Sequence, residues 1–355
     1  YDLDIQLIWG GTDVCGGHSV WVPNYIKNNT SVYPLFGTSK KLDYSDKDLI
    51  YREKKAFSEL LKALYIYDTE RRTVSIQIEN EPNSGLDGPP SFDTADDVNL
   101  TWVGQEVAVK SLINQLAVLC DTGAYRCVTR VNYVAYSCYF NGMDNDDAVE
   151  FLNNSAIDIV GFSAYGSLSF DEKIFNTIAD ENNVPHLAES SGGSMLAPAK
   201  MLYATTNGSG FLQYELDYVS GYSGEYTVLK SDGDYRDGSE GGNITTEIIS
   251  VNKMLSALSE KMAVLPNANM EALNIAQELD CAENITVCGL DIAYSHTSEG
   301  PYGGAGMVMC DSDGTYYLYQ SRDDATFTLS GKTVTGLSVG TFENGVWVEK
   351  RAVNT

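Results

Sequence analysis

Short apolar and β-branched runs alternate with longer stretches of helical spacing over the first two thirds of the chain. The runs Leu3 to Trp9, Thr73 to Glu79, Arg126 to Val134, Ile157 to Ala164, Val184 to Ala188 and Gly210 to Glu215 read as strands. Between them, Asp46 to Tyr67 sets Phe57, Leu60, Leu61 and Leu64 three and four residues apart, and Trp102 to Leu119 is helical in the same way. Further helices are predicted over Asp146 to Asn153, Asp171 to Glu181, Ala197 to Thr205 and Thr245 to Val264. Strand and helix in alternation signal βα units around a parallel sheet. Beyond Pro266 the pattern changes. Asn267 to Leu279 reads as one more helix, and from Asn284 onward short strands are punctuated by Asp-Ser-Asp-Gly, Ser-Gly-Lys and Glu-Asn-Gly turns. The expected division is a βα domain over 1–265 and an all-β, sandwich-like module over 266–355.

The run most informative about chemistry is Thr73-Val74-Ser75-Ile76-Gln77-Ile78-Glu79-Asn80-Glu81. In a strand the side-chain period is two, so Val74, Ile76 and Ile78 share one face while Gln77, Glu79 and Glu81 share the other. In a parallel barrel the polar set at the strand's C-terminal end points into the barrel mouth, where the active sites of such barrels are built. A carboxyl group there loses hydration and stays protonated near neutral pH, as a general acid requires. A second carboxylate, Glu189, follows the apolar strand ending at Ala188 and precedes a Ser-Gly-rich loop. Two strand-end glutamates facing each other are the minimal equipment for glycoside hydrolysis.

Composition narrows the alternatives. Lys plus Arg number 23 against 49 for Asp plus Glu, and the net charge of −26 repels phosphate backbones and anionic membrane surfaces. Neither a nucleic acid nor a membrane is an expected partner, and no apolar run reaches the roughly 18 to 20 residues of a membrane helix. Seven cysteines, none in a Cys-x-x-Cys pair, read as buried thiols with one or two disulfides left open. Three histidines leave little for a zinc site or a Ser-His-Asp triad, so no metal and no cofactor is expected. Carboxylates and aromatic rings, with 23 Tyr and 4 Trp, suit carbohydrate, although an acidic soluble protein shares that composition.

On these residues the chain resembles the retaining glycoside hydrolases of the large (β/α)8-barrel superfamily called clan A, in particular β-galactosidase-like families whose fourth strand reads Gln-Ile-Glu-Asn-Glu. The resemblance implies Glu81 as general acid/base, Asn80 on the sugar 2-hydroxyl and Glu189 as nucleophile. It also likens Leu3 to Trp9 to the third strand and Ile157 to Tyr165 to the sixth, with Tyr165 hydrogen-bonded to the nucleophile. The six strands then correspond to strands 3 to 8, so the expected fold is an α/β, TIM (β/α)8-type barrel lacking its first two βα units. The chain accordingly reads as part of a longer protein. The implied substrate is an oligo- or polysaccharide β-glycoside, in a secreted or cell-surface setting rather than the cytoplasm; oligomeric state is left open.

Other residues have functional readings to set beside structural ones. Trp9 and Trp21 are sugar-stacking platforms or core. Glu79 contacts a sugar hydroxyl, tunes its neighbour's pKa, or is a buried structural carboxylate. Asn132 lines the site or starts a loop, and Tyr214 lines the pocket or packs behind its strand. His186 has the parity of a packing residue. Asp144, Asp146 and Asp147 read as a helix N-terminus, and the loop Ser231 to Gly242 as solvated rather than calcium-binding. Two rival functions stand beside hydrolysis: a carbohydrate-binding protein without turnover, and an acidic surface module.

Overall fold

A computed structural model describes residues 4–11, 22–36, 41–80, 95–134, 156–163, 186–191, 197–214, 229, 243–273, 280–297, 305–321 and 325–353. They fall into two units: the described part of the first comprises the residues to Ser163 together with His186, and that of the second begins at Leu187.

The first unit comprises β1 (Ile5–Trp9), the short α1 (Asn24–Lys27), a small β2 (Leu35–Phe36) and β3 (Lys41–Leu42) ladder, α2 (Lys47–Tyr67), β4 (Thr73–Asn80), α3 (Ala95–Thr122), β5 (Val128–Val134) and β6 (Ile159–Ser163). Its sheet has the order β1-β4-β5-β6, every pair parallel. The sequence marks where α2 begins: Asp46 is its N-cap and accepts from the Leu49 N–H at 2.9 Å. Leu49, Glu53, Phe57 and Leu61, each four residues from the next, form its buried stripe. Beyond its end Asp68 ties helix to sheet, accepting the Arg72 and Thr73 N–H groups at 2.8 and 2.7 Å and the Tyr125 hydroxyl at 2.5 Å. That hydroxyl, then the Thr73 amide, holds the Asp68 carboxyl well below its ordinary range. Ile76, Ile78, Val131, Val160 and Phe162 share one face of the sheet and are all buried.

Two thiols meet where α3 hands over to β5. Cys120, fully buried, and Cys127, half-buried, are in hydrogen-bond contact, which raises the Cys120 pKa and lowers that of Cys127. Cys127 is therefore the expected nucleophile toward oxidised glutathione, giving a mixed disulfide and one glutathione thiol; Cys120 then displaces the second glutathione and closes a Cys120–Cys127 disulfide. After trypsin the product is the 111–126 peptide linked to 127–130, and C120S should stop at a glutathione adduct on Cys127. Wild type that yields neither linked peptide nor adduct counts against this order of attack.

The second unit contains β7 (His186–Ser191, from Leu187), α4 (Ala197–Thr206), β8 (Phe211–Tyr214), α5 (Asn243–Met262) and eight further strands. β7 and β8 pair in parallel. The later strands are β9 (Met270–Leu273), β10 (Asp280–Val287), β11 (Leu290–Thr297), β12 (Gly306–Cys310), β13 (Tyr316–Gln320), β14 (Ala325–Ser330), β15 (Ser338–Glu343) and β16 (Val346–Ala352). They form antiparallel sheets of order β13-β12-β9 and β10-β11-β14 and a β15-β16 hairpin.

β12 is buried at every position, and its alternation explains the layering. Met307 and Met309 join Met201, Leu202, Val251 and Leu258 of α4 and α5 in one core, while Val308 and Cys310 join Leu273, Val287, Ile292 and Tyr294 in another. One core thus runs across residue 265. The helix expected over Asn267 to Leu279 is corrected: a single 3-10 turn at Asn267–Asn269 leads into β9. Pairing with β12 and packing of Met270 and Leu273 into the two cores override the helical propensity of Met-Glu-Ala-Leu. Among the described residues no helix is long and apolar enough to cross a membrane.

Candidate active site

Expected alternation along β4 does not survive to its end. Gln77 pairs with Arg130 but Asn80, not Glu79, pairs with Asn132, so one extra residue is inserted between them. Glu79 takes up that residue with φ +63°, a left-handed conformation that costs a side-chain-bearing residue about 1 to 2 kcal/mol. The bulge brings Asn80 to the face of Gln77 and sends the Glu79 carboxyl toward β1 and α2. The strand carrying the other candidate has a comparable irregularity: Leu187 pairs with Phe211 and Ser190 with Gln213, leaving Ala188 and Glu189 opposite the single residue Leu212.

On the face opposite Ile76 and Ile78, the strand ends build a polar network. Arg130, 2 % exposed, donates from Nε to Gln77 Oε1 at 3.0 Å and from Nη2 to the same oxygen. Gln77 Nε2 donates to Asn80 Oδ1 at 2.9 Å and to the Glu79 carbonyl at 3.1 Å. Asn132 Nδ2 donates to Asn80 Oδ1 at 3.0 Å and to Ser163 Oγ at 3.1 Å. Its own Oδ1 is buried and, among the described residues, meets no hydrogen-bond donor. Amides, a guanidinium and a hydroxyl, from three adjacent strands, can thus present donors and acceptors to a neutral polyhydroxylated molecule.

Behind the bulge lies a carboxyl pair. Glu79 Oε1 accepts the Gly11 N–H at 3.1 Å, and Glu53 Oε1 accepts the Trp9 indole N–H at 3.2 Å. The two carboxyl groups stand within hydrogen-bond reach of each other, both beside Gly11. Burial first, then the charge of Glu79, pushes the Glu53 carboxyl well above its ordinary range, against the lowering effect of Trp9. A Cβ at Gly11 would stand 2.1 Å from Glu53 Oε1, so a larger residue there would displace the Glu53 carboxyl.

Of the residues singled out in the sequence, Asn80 and Asn132 meet in the network. Glu79 stands with Glu53. Trp9 packs its ring edge-on against Phe57 of α2 with centroids 5.2 Å apart, on the strand face opposite Gln77. Glu189 lies in β7, His186 opens that strand and Tyr214 closes β8, each described by backbone alone. Glu81, Tyr165, Trp21, Asp144, Asp146, Asp147, the loop 231–242 and the helices expected over 146–153 and 171–181 lie outside the described residues.

Three members were not singled out: Glu53, Arg130 and Ser163. Signals existed for two. Glu53 occupies the buried stripe of α2 between Leu49 and Phe57, and Arg130 shares strand parity with Asn132; a charge at either place needs a partner.

No protein-family model matches the chain, and no curated protein matches it. Solved structures resemble it distantly. A β-galactosidase from the psychrophilic Marinomonas ef1 is 8% identical with a TM-score of 0.47, covering 70% of this chain and 51% of its own. A Bacteroides uniformis β-glucuronidase is 11% identical with a TM-score of 0.38, covering 77% of this chain and 36% of its own. An α-galactosidase from Geobacillus stearothermophilus is 8% identical with a TM-score of 0.38, over 92% and 44%. The chain spans about half, or less, of the length of these structures. Likeness at this level assigns no activity.

Proposed function

We propose that the protein is a retaining β-glycosidase, exo-acting and β-galactosidase-like, whose parallel strands belong to a (β/α)8-type barrel with a catalytic region over 1–265. The observation that carries this reading is the network of Gln77, Arg130, Asn80, Asn132 and Ser163 across the ends of three parallel strands, immediately before Glu81 in the sequence. A sheet needing only stability would fill such positions with aliphatic side chains, since polar groups there must find partners. Asn132 Oδ1 supplies a buried acceptor for a sugar hydroxyl, and Asn80 stands beside it.

In this mechanism Glu81 protonates the glycosidic oxygen while Glu189 attacks the anomeric carbon, expelling the aglycone and forming a glycosyl-enzyme ester. Glu81, now ionised, takes a proton from water, which attacks the same carbon and releases sugar with retained configuration. No cofactor takes part. Retention requires carboxyl groups about 5 to 5.5 Å apart, whereas about 6.5 to 9.5 Å leaves room for water and gives inversion. The deciding experiment is Glu189→Gly on an aryl β-glycoside: the variant should be inactive alone and should form the α-glycosyl azide when azide is added. Azide without effect, in a folded variant, removes the nucleophile role from Glu189.

A further inference from the structure

The carboxyl pair behind the bulge has no part in the hydrolytic steps, yet it occupies a place where charge is costly. Glu53 is 7 % exposed and Glu79 0 %. Two ionised carboxylates have only acceptors to offer one another, so a hydrogen bond between them requires a proton. The groups that face Glu53 among the described residues are the Trp9 N–H from β1 and Glu79 from β4. Of the described cations nearby, Arg52 stacks on the Tyr33 ring at 5.5 Å, Lys54 donates to Gln115 at 2.8 Å and Arg130 donates to Gln77. The close approach of Gly11 to both carboxyls leaves no room for the pair to separate toward β1.

We propose that Glu53 is a positioning residue: by sharing one proton with Glu79 it holds the left-handed bulge of β4 that sets Asn80 beside Asn132. The part Asn80 then plays rests on the glycosidase reading, whereas the shared proton does not. With the proton in place, Glu79 is anchored on two sides, by the Gly11 amide and by Glu53, and its unfavourable φ is held by those bonds. With the proton lost, two charges repel inside a buried site and the anchor on α2 fails.

The sign of the pH dependence follows. A carboxyl whose folded-state pKa is raised contributes stability that is complete below its unfolded value and is lost as pH rises through the folded value. Wild-type melting temperature is therefore expected to fall by about 3 to 6 °C across the pH range above the ordinary glutamate value. Glu53→Gln keeps both bonds without a titrating proton, its Nε2 donating to Glu79 and its Oε1 accepting from Trp9. Its melting temperature should exceed that of Glu53→Ala throughout and should lack the fall. On an aryl β-glycoside, Glu53→Ala is expected to lower kcat about 10-fold or more, and Glu53→Gln to recover the larger part. A Glu53→Gln protein that melts like Glu53→Ala, or a wild type whose pH profile matches that of Glu53→Gln, overturns the shared proton. If no glycoside is turned over by wild type, the melting series still decides the matter, and only the glycosidase reading falls.

Discussion

Glu81→Gln is expected to lower kcat/KM about 10²- to 10⁴-fold on β-glycosides with alkyl or sugar leaving groups, and far less on an activated dinitrophenyl glycoside, for which the base-assisted hydrolysis of the glycosyl-enzyme limits kcat instead. The difference follows from what a general acid does. An alkoxide departs slowly unless it receives a proton as the bond breaks, whereas a dinitrophenolate is stable enough to leave alone. Gln occupies the same volume but cannot protonate the leaving oxygen. Steady-state rates on both substrate classes check this. A loss of equal size on both classes would mean that Glu81 acts in binding or folding, and the acid/base role would be withdrawn.

Arg130→Met should cost about 2 to 4 kcal/mol of stability, read as a lowered urea midpoint at unchanged slope. Arg130 supplies two N–H donors to Gln77 Oε1, and Gln77 is fully buried. Met fills the space of the stem but leaves that buried oxygen without those donors. The damage should spread, because Gln77 Nε2 fixes Asn80 Oδ1, which also takes the Asn132 bond. A midpoint within about 0.5 kcal/mol of wild type would show that Arg130 is not what holds Gln77 in place.

The two predictions draw on different levels of the molecule, and so did the legibility of its sequence. α2 could be read almost to the residue because its determinants are local: Asp46 caps the first turn and a four-residue apolar spacing runs through Leu49, Phe57 and Leu61. The parallel strands of the first unit were legible for the same reason, their apolar runs being short and bounded. Asn267 to Leu279 was misread because the decisive partner of Met270 to Leu273, the strand Gly306–Cys310, is far away in sequence. The expected seam near residue 265 likewise marks a change of local pattern, while a single core passes across it.

Candidate chemistry divides along the same line. Residue types and strand-end placement in Gln-Ile-Glu-Asn-Glu and Ala-Glu-Ser were enough to choose Asn80, Glu81 and Glu189 for attention. Strict alternation then assigned Glu79 to the face of Gln77, and the structure reverses that assignment. A one-residue bulge exchanges faces, and nothing within the strand announces it. It is held by groups from β1 and α2: the Gly11 amide, and Glu53 with the Trp9 indole behind it. Local periodicity and capping therefore determined by themselves α2 to α5, the parallel strands and the α/β-then-β order. Tertiary structure alone decided the bulge, the carboxyl pair and the polar network, because buried polar groups take their places from hydrogen-bond partners that sequence spacing does not specify.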